Sequence, residues 1–283
     1  MRRQLALILA AVMLLALCAC GEAPAPEPTE PAQTPELLNT PVPVVITKED
    51  GVLTEKRFFN SDGLRYMTLR YEYDGSGHVT RELTLGVNEA PESYIAYEYD
   101  ADGKLMKESY FKAVDADNFE PCGECTYEYA DGLCLRKESE RDGYASLYEY
   151  EYDENALLVT EKCYEDSELV YILGYEYDAN GSNTRLTRTS VMTGTESVTG
   201  MEYDAEGRLI SSATADSKYT YEYNENGDET KMDCCGADGS LIYTRLTQYE
   251  YDEAGNVRRA TVSQENGTTD GTVTEYVWKY AKG

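Results

Sequence analysis

The chain has 283 residues, and its 53 acidic against 25 basic side chains give a formal net charge of −28. Such a charge strongly disfavours nucleic acid and other polyanions as partners, because like charges repel one another. Only four Phe and one Trp accompany 26 Tyr. The core must therefore consist largely of tyrosine, which needs its ring buried and its hydroxyl at water or a partner.

Residues 1–19 predict an export signal that is not part of the fold. Arg2 and Arg3 precede an apolar run from Leu5 to Leu17, which is too short to span a membrane. The run ends in a sequence that resembles a bacterial lipoprotein box, which implies cleavage before Cys20 and a lipid on its sulfur. The alternative is an ordinary signal peptide with an incidental cysteine. We expect an exported protein, lipid-anchored at the extracytoplasmic face of the cell membrane.

Residues 20–44 predict a tether that carries the lipidated Cys20 at its start. Seven of the nine prolines of the chain lie here, among Glu and Thr. Such a composition cannot bury a core and stays extended. The sequence therefore predicts three parts, with a single folded domain over residues 45–283.

The motif Tyr-Glu-Tyr-Asp-x-x-Gly returns about every 25 residues within this domain. The alternation places both rings on one face of a strand, while Asp and Gly suit the start and end of a tight turn. Each copy therefore predicts a β-hairpin. The predicted core residues are Tyr71, Tyr73, Tyr97, Tyr99, Tyr127, Tyr129, Tyr150, Tyr152, Tyr175, Tyr177, Tyr203, Tyr221, Tyr223, Tyr249 and Tyr251. The predicted turn residues are Asp74, Gly77, Asp100, Gly103, Asp178, Gly181, Asp204, Gly207, Gly227, Asp252 and Gly255.

Some copies are irregular. Residues 127–132 are one residue short, and Ala156 stands where Gly belongs, which predicts a turn of different shape there. Residues 59–64 predict a degenerate opening copy, and residues 276–280 a closing strand with no turn after it. Terminal repeats of an array are expected to be atypical.

The repeat resembles that of the YD-repeat family, also called rearrangement-hotspot (RHS) repeats, over roughly residues 56–280. The apolar position after the turn is matched at Val79, Leu105, Leu209 and Val257. Asn183 and Glu229 depart from it, which predicts poorer packing of the fifth and seventh hairpins. The resemblance implies long spiralling sheets, which in large members enclose a toxin. With about eight hairpins, we expect an all-β, elongated, curved and solenoid-like antiparallel array rather than a closed shell.

No catalytic, metal-binding or cofactor-binding residue is predicted. Cys122 and Cys125 have the spacing of a metal or redox pair, but the chain has one histidine and no second such pair. Cysteines in loops and strands, some of them in disulfides, are the simpler interpretation. The carboxylates recur in register with the motif, which is poor evidence for a catalytic pair.

The expected function is a non-catalytic binding, adhesion or scaffold module for a glycan or a protein, with the lipid anchor as its contact with the membrane. One alternative is an accessory or truncated shell component of an RHS-type toxin system. A second alternative is an enzyme that acts on the cell wall.

Overall fold

The computed structural model describes residues 47–48, 51–265 and 271–280, and almost all of them lie in antiparallel strands. The strands are β1 (Thr47–Lys48), β2 (Gly51–Phe59), β3 (Arg65–Tyr73), β4 (Val79–Leu85), β5 (Pro91–Tyr99), β6 (Leu105–Ala113), β7 (Phe119–Ala130), β8 (Leu133–Arg141), β9 (Tyr144–Tyr152), β10 (Leu158–Glu165), β11 (Glu168–Tyr177), β12 (Asn183–Ser190), β13 (Glu196–Tyr203), β14 (Leu209–Ala213), β15 (Ser217–Tyr223), β16 (Glu229–Gly236), β17 (Leu241–Tyr251), β18 (Val257–Glu265) and β19 (Thr272–Tyr280). One turn of 3-10 helix, Val87–Glu89, precedes β5. In the described ranges, no helix has the length and hydrophobicity that crossing a membrane requires.

The strands β2 to β19 form one closed antiparallel β-barrel of 18 strands. Each strand pairs with the next along the chain, and β19 returns to pair with β2. The short β1 adds two residue pairs at the start of β2. The elongated, open, solenoid-like array expected from the repeat is therefore wrong, because the two edges of the sheet meet.

Closure depends on a ninth repeat that the two chain ends share. Tyr276 and Trp278 of β19 hold the places of the two motif tyrosines, and Trp278 lies opposite Leu53 as Tyr73 lies opposite Val79. Each half alone resembles a damaged copy, so counting complete motifs missed this repeat. We call the junction of β19 with β2 the seam.

Every repeat bends at the same place. In the first, Glu72 opposes Arg81 but Tyr73 opposes Val79, so Thr80 is an extra residue that forms a β-bulge. The same register shift occurs in the other eight repeats, the seam included. A bulge increases strand twist and curvature, so one per repeat provides the bending that closes the ring.

The motif turns all lie at one rim of the barrel, which we call the turn rim. In the first turn, Asp74 Oδ1 accepts the N–H groups of Ser76 and His78 at 2.8 and 2.9 Å, and Gly77 has a φ of 90°. The same turn recurs at Asp100, Asp178, Asp204, Asn224 and Asp252, with Gly103, Gly181, Gly207, Gly227 and Gly255 at positive φ. The turn within residues 59–64 has the same hydrogen bonds, from the N–H groups of Asp62 and Leu64 to Asn60 Oδ1, as expected of a degenerate copy. It joins β2 to β3 at the opposite rim.

Ala156 takes the same turn conformation as the glycines, so the predicted difference in shape is wrong. Its φ is 63°, and its N–H donates to Asp153 O at 3.1 Å as in the other turns. This left-handed conformation is strained for alanine. We expect Ala156→Gly to raise the free energy of unfolding by about 0.5–1 kcal/mol in urea denaturation.

A matched control is Ala205→Gly, because Ala205 lies in an equivalent turn but is not among the positive-φ residues. At Ala205, glycine relieves no strain and only adds conformational entropy to the unfolded chain, so the free energy of unfolding should stay unchanged or fall. Equal gains from both substitutions would contradict strain at Ala156.

Candidate functional site: the lumen

The tyrosine face of the sheet lines the inside of the barrel. On this face Leu53, Val79, Leu105 and Leu158 are at most 2% exposed. Each described strand packs chiefly against its two ring neighbours, so no second layer covers the sheet. The Glu between the two tyrosines of a motif, as at Glu72, Glu98 and Glu250, is exposed on the other face, which is therefore the convex side of the wall.

For a circular cross-section, the number of strands gives an estimate of the width of the lumen. At about 4.8 Å per strand, 18 strands make a wall about 27 Å across when upright and about 36 Å at a 40° tilt. Packed side chains occupy about 5 Å on each inner surface, which leaves a lumen roughly 17 to 26 Å wide.

In six repeats, the hydroxyl of the second tyrosine donates to a backbone carbonyl of the repeat before. Tyr99 donates its hydroxyl to Val79 O at 2.8 Å, across the lumenal face of the wall. The same bond links Tyr73 to Leu53, Tyr129 to Leu105, Tyr152 to Cys134, Tyr177 to Leu158 and Tyr223 to Leu209. At the seam, Trp278 Nε1 donates to Val257 O at 2.9 Å. These tyrosines therefore have buried rings and satisfied hydroxyls, as the sequence requires.

The two polar departures after the turn replace the apolar contact with other interactions. Asn183 is 3% exposed, and its side chain hydrogen-bonds to Tyr177, while its Oδ1 has no partner among the described residues. Glu229 instead pairs with Arg245 at 2.7 Å, and Tyr251 donates to Asp228 at 2.6 Å rather than to the backbone.

Opposite the first tyrosine of each repeat, a charged girdle runs around half of the lumen. Consecutive repeats from the seam onward place Lys56, Glu82, Glu108, Lys137 and Glu161 at this position. The remaining four repeats place Leu186, Ser212, Met232 and Ala260 there. One side of the lumen at this level is therefore charged, and the other is neutral.

The girdle carboxylates are held by tyrosine hydroxyls. Glu108 accepts hydrogen bonds from Tyr110 and from Tyr127, the latter at 2.7 Å. Burial raises the pKa of Glu82 and Glu161, and a hydrogen bond to a tyrosine opposes the rise in each case. The carboxylates therefore have donors even where they are removed from bulk water.

The outer wall has a different organisation, with the Glu of the motif paired to cations on the adjoining strand. Such pairs join Glu72 to Arg81, Glu151 to Lys162, Glu176 to Arg185, Glu222 to Lys231 and Glu250 to Arg258, at 2.5 to 3.5 Å. Exposed pairs of this kind contribute little stability. They make the exterior a water-facing surface.

The six described cysteines are free thiols, and no disulfide joins them. Cys125 lies on the lumenal face, while Cys122 forms a bulge beside it, so their short sequence spacing does not produce a paired site. Burial raises the pKa of the Cys125 thiol, and that of Cys134 to about 11, which makes both poor nucleophiles.

The structure places the predicted tyrosines on the lumenal wall and the predicted turn residues at the turn rim. Cys20 lies outside the described residues. Sequence reasoning missed the girdle and the other lumenal cations, although a signal for the girdle was present. Its members occupy one fixed register position, directly opposite the first tyrosine of a hairpin.

No family model and no curated protein matches the chain. Three solved structures show a distant likeness. A porin-like protein from Bacteroides uniformis has a TM-score of 0.42 and 13% identity, over 80% of this chain and 96% of that one. The TcdB2-TccC3-Cdc42 structure has 0.38 and 18%, over 73% of this chain, and TcdB2-TccC3-TEV has 0.30 and 13%, over 81%. Those matches cover 13% and 16% of the two larger chains.

Proposed function

We propose that the protein is a non-catalytic binding module that takes its guest, a glycan or a segment of protein, into the lumen of the barrel. The supporting observation is the character of the inner wall. An interior that served only as a core would be filled by apolar side chains at high density. This lumen is too wide to be filled, and tyrosines, carboxylates and cations line it.

The location of the chain ends suggests how such a module is presented. Gly51 at the start of β2 pairs with Tyr280 at the end of β19, and both lie at the turn rim beside β1. A lipid on Cys20 would hold this rim towards the membrane. The opposite rim would face outward, where the loops that the structure describes in full range from two residues (142–143) to five (114–118). Loops of varied length at a fixed rim are suited to selecting a guest.

Ring closure also favours a second candidate, an enclosing component of an RHS-type toxin system, but size limits it. A folded domain of 100 residues has a radius of gyration of about 13 Å and is thus roughly 33 Å across. That exceeds the estimated width of the lumen. A single chain of this protein could enclose an extended segment or one helix, which is about 10–12 Å thick, but not a folded toxin.

Adjacent residues on opposite faces of β13 provide the test. Thr199 faces the lumen, opposite Leu186, and Val198 faces outward, opposite Thr187; both are half-buried. We expect Thr199→Trp to weaken binding of any guest found on glycan and peptide arrays by at least tenfold. Val198→Trp should leave binding unchanged.

Equal losses from the two substitutions would contradict binding in the lumen. Turnover of a cell-wall substrate that Glu82→Gln or Glu108→Gln abolishes would contradict the non-catalytic assignment and support an enzyme instead.

A further inference from the structure

Four lumenal cations lie over tyrosine rings, whereas a fifth, Arg245, is paired with Glu229. Lys56 Nζ lies 6.0 Å from the ring centroid of Tyr71 and 5.8 Å from that of Tyr276, across the seam. Lys137 Nζ lies 5.8 Å from Tyr127 and 5.4 Å from Tyr148. Each ammonium is therefore held between two rings of neighbouring repeats.

Two arginines of the same face each lie over one tyrosine ring. Arg141 lies 4.8 Å from the ring centroid of Tyr110, and Arg188 lies 4.3 Å from that of Tyr171. Among the described residues, neither the two lysines nor the two arginines have a carboxylate at ion-pair distance. A ring face stabilises a cation electrostatically but accepts few of its N–H bonds.

These four cations are therefore the groups of the lumenal wall that lack a carboxylate at ion-pair distance. Glu108, in contrast, already accepts two tyrosine hydroxyls. Burial lowers the pKa of Lys56, and the nearby Glu82 opposes this. A guest that complements this wall must supply negatively charged acceptors.

We propose that the lumen binds a carboxylated oligosaccharide, with Lys56 and Lys137 as two equivalent subsites for its carboxylates. This assignment rests on the proposed function and names its ligand class. The flat tyrosine faces suit the C–H faces of sugar rings, and the girdle carboxylates can accept sugar hydroxyls. An acidic peptide such as oligoglutamate would satisfy the cations but has no flat C–H faces to place against the tyrosine rings, so the wall favours the sugar.

The charge of the whole protein gives the interaction a distinctive salt dependence. The chain carries a formal net charge of −28, so an anionic guest is repelled on approach. Added salt screens this long-range repulsion more than it weakens the sheltered contact in the lumen. The association rate should therefore rise between low and moderate ionic strength, whereas that of a cationic guest would fall.

The test is calorimetric titration of the full chain with an oligomer of galacturonate, a neutral galactose oligomer of the same length and an oligoglutamate peptide. We expect the galacturonate oligomer to bind at least tenfold more tightly than the other two. Lys56→Met and Lys137→Met should each weaken it by about tenfold or more, as loss of a charge-assisted hydrogen bond requires. Lys56→Arg should restore most of the affinity.

The matched control is Lys218→Met, which removes the same charge from an exposed lysine on the outer wall that has no ion pair. An equal loss of affinity from Lys218→Met would show that only the net charge of the protein matters, and would overturn the two subsites. Tighter binding of the neutral oligomer or the peptide would overturn the ligand class. If Thr199→Trp still blocked binding of the neutral oligomer or the peptide, the proposal that guests bind in the lumen would stand, but the carboxylated oligosaccharide would be the wrong ligand class.

Discussion

Removal of residues 272–283 should open the barrel and abolish cooperative unfolding of a single unit. The deleted segment includes β19, all of whose residues from Val273 to Tyr280 pair with β2. Its loss also removes the bond from Trp278 to Val257 O. Two long unpaired edges would then be exposed, at β2 and β18, and edges of this kind promote association between chains. Urea denaturation and size-exclusion chromatography would measure the effect.

A circular permutant is the control for this truncation. Because Gly51 and Tyr280 are paired, a short linker can join the old ends, and new ends can be cut in the loop at residues 142–143. This permutant keeps all strands, so it should fold as a closed ring. A truncated chain that stayed monomeric, with the cooperativity of the full protein, would contradict closure at the seam.

Single substitutions of Trp278 refine the same prediction. Trp278→Tyr keeps a hydrogen-bond donor at the place where six other repeats use a tyrosine hydroxyl. Trp278→Phe keeps an aromatic ring but leaves Val257 O without that donor. We expect Trp278→Phe to be less stable than Trp278→Tyr by about 1 kcal/mol, the net worth of one hydrogen bond. Equal stabilities of the two variants would show that the seam does not depend on the side-chain to backbone hydrogen bond found in the other repeats.

The local structure of this protein could be predicted from its sequence because each motif specifies it within a few residues. Tyr-x-Tyr determines a face, and Asp-x-x-Gly determines a turn in which the carboxylate accepts two backbone N–H groups, as at Asp74. These are short-range interactions. The strands, the shared face of the tyrosines and the turn rim all follow from them.

Closure could not be read in the same way because it depends on curvature summed over nine repeats. The bulge at Thr80 leaves no clear mark in the sequence, and the halves of the ninth repeat lie over 200 residues apart. Leu53 and Trp278 were the available clue, since together they supply the apolar position and the second aromatic residue of one repeat. The girdle was missed for a related reason: the partner of Tyr127 is Lys137, and that pairing requires the register of the strands after the bulge.

Raising the pH above 10 should unfold the protein in one sharp transition. Burial raises the pKa of many lumenal tyrosines, Tyr71, Tyr97, Tyr127 and Tyr150 among them, well above the ordinary value of 10.0. These groups stay protonated in the fold and ionise in the unfolded chain. Their stabilisation is therefore complete below pH 10 and is lost as the pH rises towards the folded-state pKa values.

The expected steepness follows from the number of such groups. Each tyrosine that is neutral in the fold and ionised when unfolded costs about 1.4 kcal/mol of stability per pH unit. The summed cost for several such tyrosines exceeds an ordinary free energy of unfolding of about 5–15 kcal/mol within one or two pH units.

Tyrosinate absorbance at 295 nm should therefore rise together with the loss of β-sheet circular dichroism, at a common midpoint. Tyr144→Phe, at a side chain that is 76% exposed, should leave that midpoint unchanged. Gradual ionisation of most tyrosines while the β-sheet signal persists would show that their rings are open to water, and would contradict the buried tyrosine wall.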